Sequence, residues 1–269
     1  MPELPEVETI VRGLREVVVG KRIERVEVYW PRSIAEPDPA EFVARLEGQR
    51  IQGLDRRGKY VIGRLEHGDL LIHLRMTGQL LVAARGLDYD RQYLRVALVL
   101  DDARVHLCDV RKLGRLAWVP DGEVALASLG PEPLSGGFTA ECLAAAAARR
   151  RVPVKALLLD QRVVAGIGNI YADEALHTAG IAPRRAACTL SSAELGALWS
   201  AVRQELERAI ENRGTTLRDY RDVTGRAGEH REALRVYGRV GEPCLRCGAR
   251  IARIAICGRS SYHCPACQH

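Results

Sequence analysis

The chain has no long apolar run. Its longest, such as Ala144–Ala148 and Ala156–Leu159, fall far short of the ~20 residues that span a bilayer. It also has no basic-then-apolar opening segment; Glu3, Glu6 and Glu8 stand there instead. Membrane spanning and Sec-type secretion are therefore not expected, and the cytoplasm is the default compartment. There is no internal repeat, and no low-complexity tract beyond the short alanine run. Lysine is scarce: of 40 Lys plus Arg, only four are Lys.

What remains is ordinary for a folded protein. A hydrophobic content of 47% is too high for a disordered chain. At roughly 100–200 residues per domain, 269 residues make one large or two modest domains. The net charge is +6. The arginine excess fits either a GC-rich genome or phosphate contact, for which the guanidinium fork is well shaped. Clustering favours phosphate. Arg149, Arg150, Arg151, Lys155 and Arg162 surround the single acid Asp160, and Arg104, Arg111, Lys112 and Arg115 surround only Asp109.

Periodicity divides the chain. Val7, Ile10, Val11, Leu14 and Val18 recur at helical spacing, and Gly20 stops that run. From Arg22 to Val119 the pattern shortens to strands: Ile23 to Val28, Tyr60–Leu65, Leu70–Leu74, Leu80–Val82, Leu94–Leu100 and Arg104–Leu107. The Pro- and Gly-rich stretch 129–137 is the best linker. Beyond it, Ala140–Arg149, Val154–Asp160, Ile170–Thr178 and Ser192–Asn212 read as helices, the last capped by Ser191 or Ser192 and ended by Gly214. Residues 214–233 are polar and aperiodic, and are expected to form a mobile loop. The predicted fold is α+β and multidomain: an N-terminal helix and antiparallel β-sandwich over 1–133, a helical domain over 138–233, and a small C-terminal module over 234–269.

That module carries the strongest local signal. Cys244-x2-Cys247 and Cys264-x2-Cys267 have the spacing of a four-cysteine zinc ribbon, with strands at 250–256 and 259–263. Four thiolates leave no position for water, so one structural Zn²⁺ is predicted. Two disulfides are disfavoured in a cytosolic chain. Cys108, Cys142, Cys188 and Cys257 lack partner spacing.

The opposite terminus is chemically suggestive. Pro2 follows the initiator Met, and removal of that Met would expose a secondary amine. With a pKa near ~8, such an amine is partly unprotonated at neutral pH and can attack an electrophilic carbon. Glu3 stands beside it as an acid or base. The competing reading is a helix start, with Pro5 in the first turn and Glu6 and Glu8 favoured by the helix dipole.

Several motifs in order decide between them. They are Pro2-Glu-Leu-Pro-Glu-Val-Glu-Thr9, Arg56-Arg-Gly-Lys-Tyr60, His73-Leu-Arg-Met-Thr-Gly78, Asp109-Val-Arg-Lys-Leu-Gly114, Leu158-Leu-Asp-Gln161, Gly166-Ile-Gly-Asn-Ile-Tyr-Ala-Asp-Glu174, Tyr237-Gly-Arg239, and the closing Gly258 to Gln268. With these the whole chain resembles the bacterial formamidopyrimidine-DNA glycosylase family. The resemblance implies a base-excision repair enzyme, a hydrolase and lyase, with a β-sandwich, a helix–two-turn–helix domain and a zinc finger. DNA would lie in the cleft between the halves, with the damaged nucleotide flipped out of the duplex.

It also implies roles. Pro2 would attack C1′ and form a Schiff base, and Glu3 would protonate the ring oxygen. Lys59 would contact phosphate and aid elimination. Arg259 would bind phosphate and donate a proton in δ-elimination. Met76, Arg111 and Leu113 would fill the gap left by the flipped base, Leu113 standing where the family usually has Phe. His73, Arg150, Arg151, Lys155, Asn169 and Tyr237 would contact DNA, Asn169 doubling as a helix N-cap. Arg91 stands near the place of a family histidine, and loop 214–233 would cap the lesion. The expected substrates are 8-oxoguanine and formamidopyrimidines in double-stranded DNA, cleaved by β,δ-elimination. The chain is expected to act as a monomer without a nucleotide cofactor. An endonuclease VIII-like enzyme for pyrimidine lesions is the near rival, but that group usually begins Pro-Glu-Gly-Pro-Glu and Leu4 stands here. A non-catalytic DNA-binding scaffold is the more distant rival.

Overall fold

The computed structural model describes residues 2–84 and 92–269. The chain forms two compact units: residues 1–127 with 212–231, and residues 128–211 with 232–269.

The first unit opens on helix α1 (Leu4–Val18), whose apolar stripe is buried as its period requires. Arg15 at its far end donates to the Leu54 carbonyl at 2.7 and 3.1 Å, tying the helix to the sheet beneath it. Strands β1 (Ile23–Val28) and β2 (Ile34–Glu36) follow, then helix α2 (Pro39–Leu46). Next come β3 (Ile51–Arg57), β4 (Tyr60–Leu65), β5 (Asp69–His73), β6 (Gly78–Ala84), β7 (Leu94–Leu100), β8 (Ala103–Asp109) and β9 (Arg115–Val119), and the short helix α3 (Gly122–Ala125).

The strands form a four-stranded sheet, β1-β7-β8-β6, and a five-stranded sheet, β2-β9-β5-β4-β3. One core holds Val7, Ile10, Val11 and Leu14 of α1 together with inward side chains of both sheets, such as Val61, Ile72, Val96 and Leu107. The antiparallel sandwich expected from the strand pattern is present with one exception: β2 pairs with β9 in parallel. Helix α2 is a second correction, because this region read as strands throughout. The Pro37-Asp38-Pro39 segment looks like a breaker. In the structure Pro39 takes the first helical position and Asp38 caps, accepting from Ala40 N at 3.0 Å and Glu41 N at 3.2 Å.

The second unit holds α4 (Ala140–Ala147), α5 (Val154–Leu159), α6 (Asn169–Ala179) and α7 (Ser192–Glu211), then the hairpin β10 (Ala252–Ile256) and β11 (Arg259–His263). Helix α7 starts on a reciprocal cap. Ser191 Oγ accepts from Glu194 N at 3.3 Å, and Glu194 accepts from Ser191 N at 2.8 Å.

The division differs from the expected domains in two respects, the first being that the C-terminal module expected over 234–269 falls in one unit with the helices. Residues 212–231 pack with the N-terminal unit rather than with the helices that flank them in sequence. Tyr220 and Val223 enter the sandwich core, and Val82 N donates to Val223 O at 2.8 Å. The expected mobile loop is thus anchored at several points. Among the described residues no helix is long and apolar enough to cross a membrane.

Candidate active site

Pro2 and Glu3 are both buried at the N-terminus of α1. Glu3 is the residue that caps the helix, with extended backbone. Its N–H donates to Glu6 Oε2 at 2.7 Å. The other oxygen, Glu6 Oε1, accepts from Thr215 N at 2.7 Å. Glu6 is 1% exposed. The helix dipole alone accounts for a carboxylate at this position in sequence. The structure gives it two more partners, so that one carboxylate joins the Pro2-Glu3 segment to the 212–231 segment. Gly214 is needed there: its φ is +78°, and a Cβ would stand 2.9 Å from Glu6 Oε1.

Lys59 sits in the tight turn between β3 and β4 and is 8% exposed, so it is not a solvated hairpin lysine. Arg56 shapes that turn. It donates to Glu8 of α1 at 2.9 Å and to the Gly58 carbonyl at 3.1 Å. The lysine turn is thereby referenced to the same helix that begins at Glu3.

His73 ends β5. Its Nδ1 accepts from Arg75 N at 3.0 Å, and its ring stands edge-on to Tyr60 at 4.6 Å. Burial, reinforced by the Arg75 and Lys59 charges, lowers its pKa to about 4. The imidazole is therefore neutral at physiological pH, with its proton on Nε2.

Met76 and the 109–114 segment come together in the same unit. Met76 is 46% exposed and Val110 56%, an unusual exposure for apolar side chains beside a guanidinium. Arg111 Nη1 lies 3.7 Å from Met76 Sδ. Asp109 organises the segment from below, at 1% exposure. Its Oδ1 accepts from Arg111 N at 3.0 Å and from the Thr77 hydroxyl; its Oδ2 accepts from Leu113 N at 2.7 Å and Gly114 N at 2.6 Å. Lys112, at φ +58°, places its ammonium 4.1 Å from the Trp30 ring centroid. Arg91 lies outside the described residues.

In the second unit Arg151 is exposed, and Arg150 pairs with Asp160 at 3.3 Å. Lys155 requires a correction. It is fully buried, paired with Asp173 at 2.8 Å, and donates to Ser260 O at 3.0 Å. It cannot reach a phosphate. Its place in a cationic run is a coincidence of sequence, because the first turn of α5 points it inward.

Asn169 is the first residue of α6, and Gly168 occupies the cap position; the expected N-cap role falls to glycine. Asn169 Nδ2 instead donates to Ser260 O at 2.9 Å, with the Tyr237 hydroxyl at 3.4 Å. Tyr237 is placed by Glu174, which accepts from the N–H groups of Arg235, Val236 and Tyr237 at 2.8–3.0 Å. Burial pushes the Glu174 carboxyl up, and these donors pull against it. Arg259 is exposed at the start of β11, after a turn in which Cys257 and Gly258 both take positive φ, +47° and +74°.

Cys244, Cys247, Cys264 and Cys267 bring their sulfurs within 4.8 Å of one another. Two of the separations are 3.5 and 3.9 Å. A tetrahedral ion with bonds of about 2.3 Å needs sulfur–sulfur edges of about 3.8 Å, so the cluster fits one structural Zn²⁺ with no open position. Glu6, Asp109, Glu174 and Trp30 organise the site in ways that sequence reasoning did not assign to them. The first three lie inside the recognised motifs, which was the available signal; Trp30 had none.

Comparison with known proteins agrees with this arrangement. Residues 1–116 match the formamidopyrimidine-DNA glycosylase N-terminal domain, residues 129–221 its H2TH domain, and residues 241–269 the zinc finger found in FPG and IleRS. A formamidopyrimidine-DNA glycosylase from Desulfitobacterium hafniense is 45% identical over 273 residues, covering 100% of both chains. A Lactococcus lactis FPG variant, solved in complex with Fapy-dG-containing DNA, superposes with a TM-score of 0.94 at 33% identity, covering 100% of both chains. The L. lactis Fpg, solved with abasic-site DNA, gives 0.93 at 33% identity and 99% coverage of each. The chain belongs to the formamidopyrimidine-DNA glycosylase family.

Proposed function

We propose that this protein excises oxidised purines, 8-oxoguanine and ring-opened formamidopyrimidines, from double-stranded DNA and then cleaves the abasic strand by β,δ-elimination. That it is a DNA repair glycosylase follows from its family; the lesion spectrum and the assignment of residues are inferred. The observation that carries the reading is the buried Glu3 immediately after Pro2, its backbone held by Glu6 at 2.7 Å. Relatives solved with Fapy-dG DNA and with abasic-site DNA support the substrate class.

In this reading the Pro2 nitrogen, freed by loss of Met1, attacks C1′. The N-glycosidic bond breaks and the base leaves with the bonding electrons and a proton. The C1′–O4′ bond then opens, O4′ takes a proton from Glu3, and an iminium joins Pro2 to C1′. Loss of a C2′ proton expels the 3′ phosphate. A further elimination, with Arg259 as the proton donor, expels the 5′ phosphate. Lys59 holds phosphate during these steps. Met76, Arg111 and Leu113 occupy the space of the extruded nucleotide, and Arg150, Arg151 and Asn169 engage the backbone. Arg111 selects cytosine opposite the lesion through hydrogen bonds to the base edge. Zinc holds the ribbon that carries Arg259 and takes no part in bond breaking. The protein works as a cytoplasmic, nucleoid-associated monomer.

Borohydride tests the assignment. Reduction during turnover of an 8-oxoguanine duplex is expected to trap a covalent protein–DNA adduct, with the added mass on Pro2. An adduct on an internal lysine, or none from protein with a demonstrably free Pro2, rejects it.

A further inference from the structure

Helix α6 meets the zinc ribbon along one face. Asn169, Asp173 and His177 are spaced i, i+4 and i+8, which stacks them on a single stripe. Asn169 donates to Ser260 O at 2.9 Å. Asp173 accepts from the Ser261 hydroxyl at 2.8 Å and from Tyr262 N at 2.9 Å. His177 completes the stripe: its Nε2 lies 3.5 Å from Cys244 Sγ. The first two rungs hold the strand that begins with Arg259. The third reaches the metal cluster itself.

His177 is 1% exposed and Cys244 3%. A zinc ion with four thiolates carries a formal double negative charge, and a buried charge needs donors around it. Cys244 Sγ takes one from Arg246 N at 3.4 Å. The imidazole can supply a second. Its Nδ1 is buried and has no hydrogen-bond partner among the described residues. A neutral imidazole has one N–H and one lone pair. With the proton on Nδ1, a buried donor would go unpaired and the Nε2 lone pair would face a thiolate. With the proton on Nε2, the thiolate is satisfied and only a lone pair lacks a partner, which is the cheaper arrangement.

We propose that His177 is a positioning residue for the zinc centre: it donates Nε2–H to the Cys244 thiolate, slows loss of the metal, and fastens the ribbon to α6. The same contact fixes the far end of the helix whose first residue steadies the backbone next to Arg259. Nearby links brace the joint, since Arg246 Nη2 donates to Thr178 O at 3.3 Å and Gln268 Nε2 to Ile181 O at 2.9 Å. They touch carbonyls. Only His177 donates a side-chain N–H to a zinc-binding sulfur among the described residues.

The test measures metal release from the full-length zinc protein into excess 4-(2-pyridylazo)resorcinol. His177→Phe keeps an aromatic ring and removes the donor; it is expected to release zinc about tenfold faster, in line with a hydrogen bond to a charged acceptor. His177→Gln places an amide N–H near the Nε2 position and is expected to stay within about threefold of wild type. Release at the wild-type rate from a His177→Phe protein holding one zinc overturns the proposal, as does His177→Gln behaving like His177→Phe. A second measurement needs no variant. In the ¹¹³Cd-substituted protein, a scalar coupling between the metal and the His177 Nε2 proton is expected; a ring protonated on Nδ1 instead rejects the assignment.

Discussion

Lys155 carries an ammonium into the interior, where Asp173 and the Ser260 carbonyl receive it at 2.8 and 3.0 Å. Both members of the pair are fully buried in their side chains. Such a pair adds little net stability over an apolar substitute, but breaking it leaves one charge stranded. Lys155→Met keeps the stem and removes the charge. It is expected to cost about 3–5 kcal/mol in denaturant unfolding, because Asp173 loses its counter-ion while still serving Ser261 and Tyr262. Adding Asp173→Asn should recover part of that loss. If Lys155→Met leaves stability unchanged and instead lowers the salt dependence of DNA binding, the residue is a phosphate contact after all. Glu6 follows the same logic. Its two oxygens accept from the backbone N–H of Glu3, three residues before it, and of Thr215, 209 residues after it.

The segment from Asp109 to Gly114 is a small device in its own right. Three of its backbone N–H groups converge on the Asp109 carboxylate, and Lys112 stacks on Trp30. These bonds set the backbone before any duplex arrives, so in the proposed role of Arg111 and Leu113 only their side chains would be ordered on binding. Extruding a base leaves its neighbours unstacked, a cost of a few kcal/mol that an inserted side chain partly offsets. Leucine supplies apolar volume without a π-face, and aromatic stacking on a base is worth roughly 1–3 kcal/mol. Leu113→Phe is therefore expected to speed single-turnover excision of 8-oxoguanine, most at low temperature. Leu113→Ala should slow it while sparing cleavage of a preformed abasic site. Equal rates for all three proteins on the lesion duplex would show that residue 113 does not fill the gap.

Across the whole molecule the net charge of +6 comes almost entirely from arginine, and several arginines proposed to meet DNA are exposed: Arg111, Arg151 and Arg259. Each phosphate neutralised releases counterions and steepens the fall of log affinity against log salt by about 0.9. Arg151→Ala is expected to reduce that slope by about 1 and to leave the ratio of lesion to undamaged affinity unchanged. Fluorescence anisotropy at four or five salt concentrations reads both quantities. An unaltered slope would remove Arg151 from the phosphate contacts.

Much of the molecule was legible in its residues. The 3.6-residue period located α1 and α7 to within a residue or two, since a buried stripe must repeat with the helix. The two Cys-x2-Cys pairs specified a zinc ribbon because each knuckle is a local turn. The ordered motifs identified the family, and with it came the roles proposed for Pro2 and Glu3. Other features depended on residues far apart in the chain. Helix α2 is not among them, since its signal is local: Asp38 caps beside a proline that otherwise reads as a breaker. The β2–β9 pair runs parallel because of where two distant strands meet. Residues 212–231 have no period of their own, and they are ordered by Tyr220 and Val223 entering a core built from the first half of the chain. Among neighbouring cations, Lys155 is buried and Arg151 is exposed. Sequence determines which residues repeat, cap and turn, for these depend on near neighbours. Which charges are buried, and against what, was decided only by tertiary structure, because desolvation is settled by partners that the chain brings from a distance.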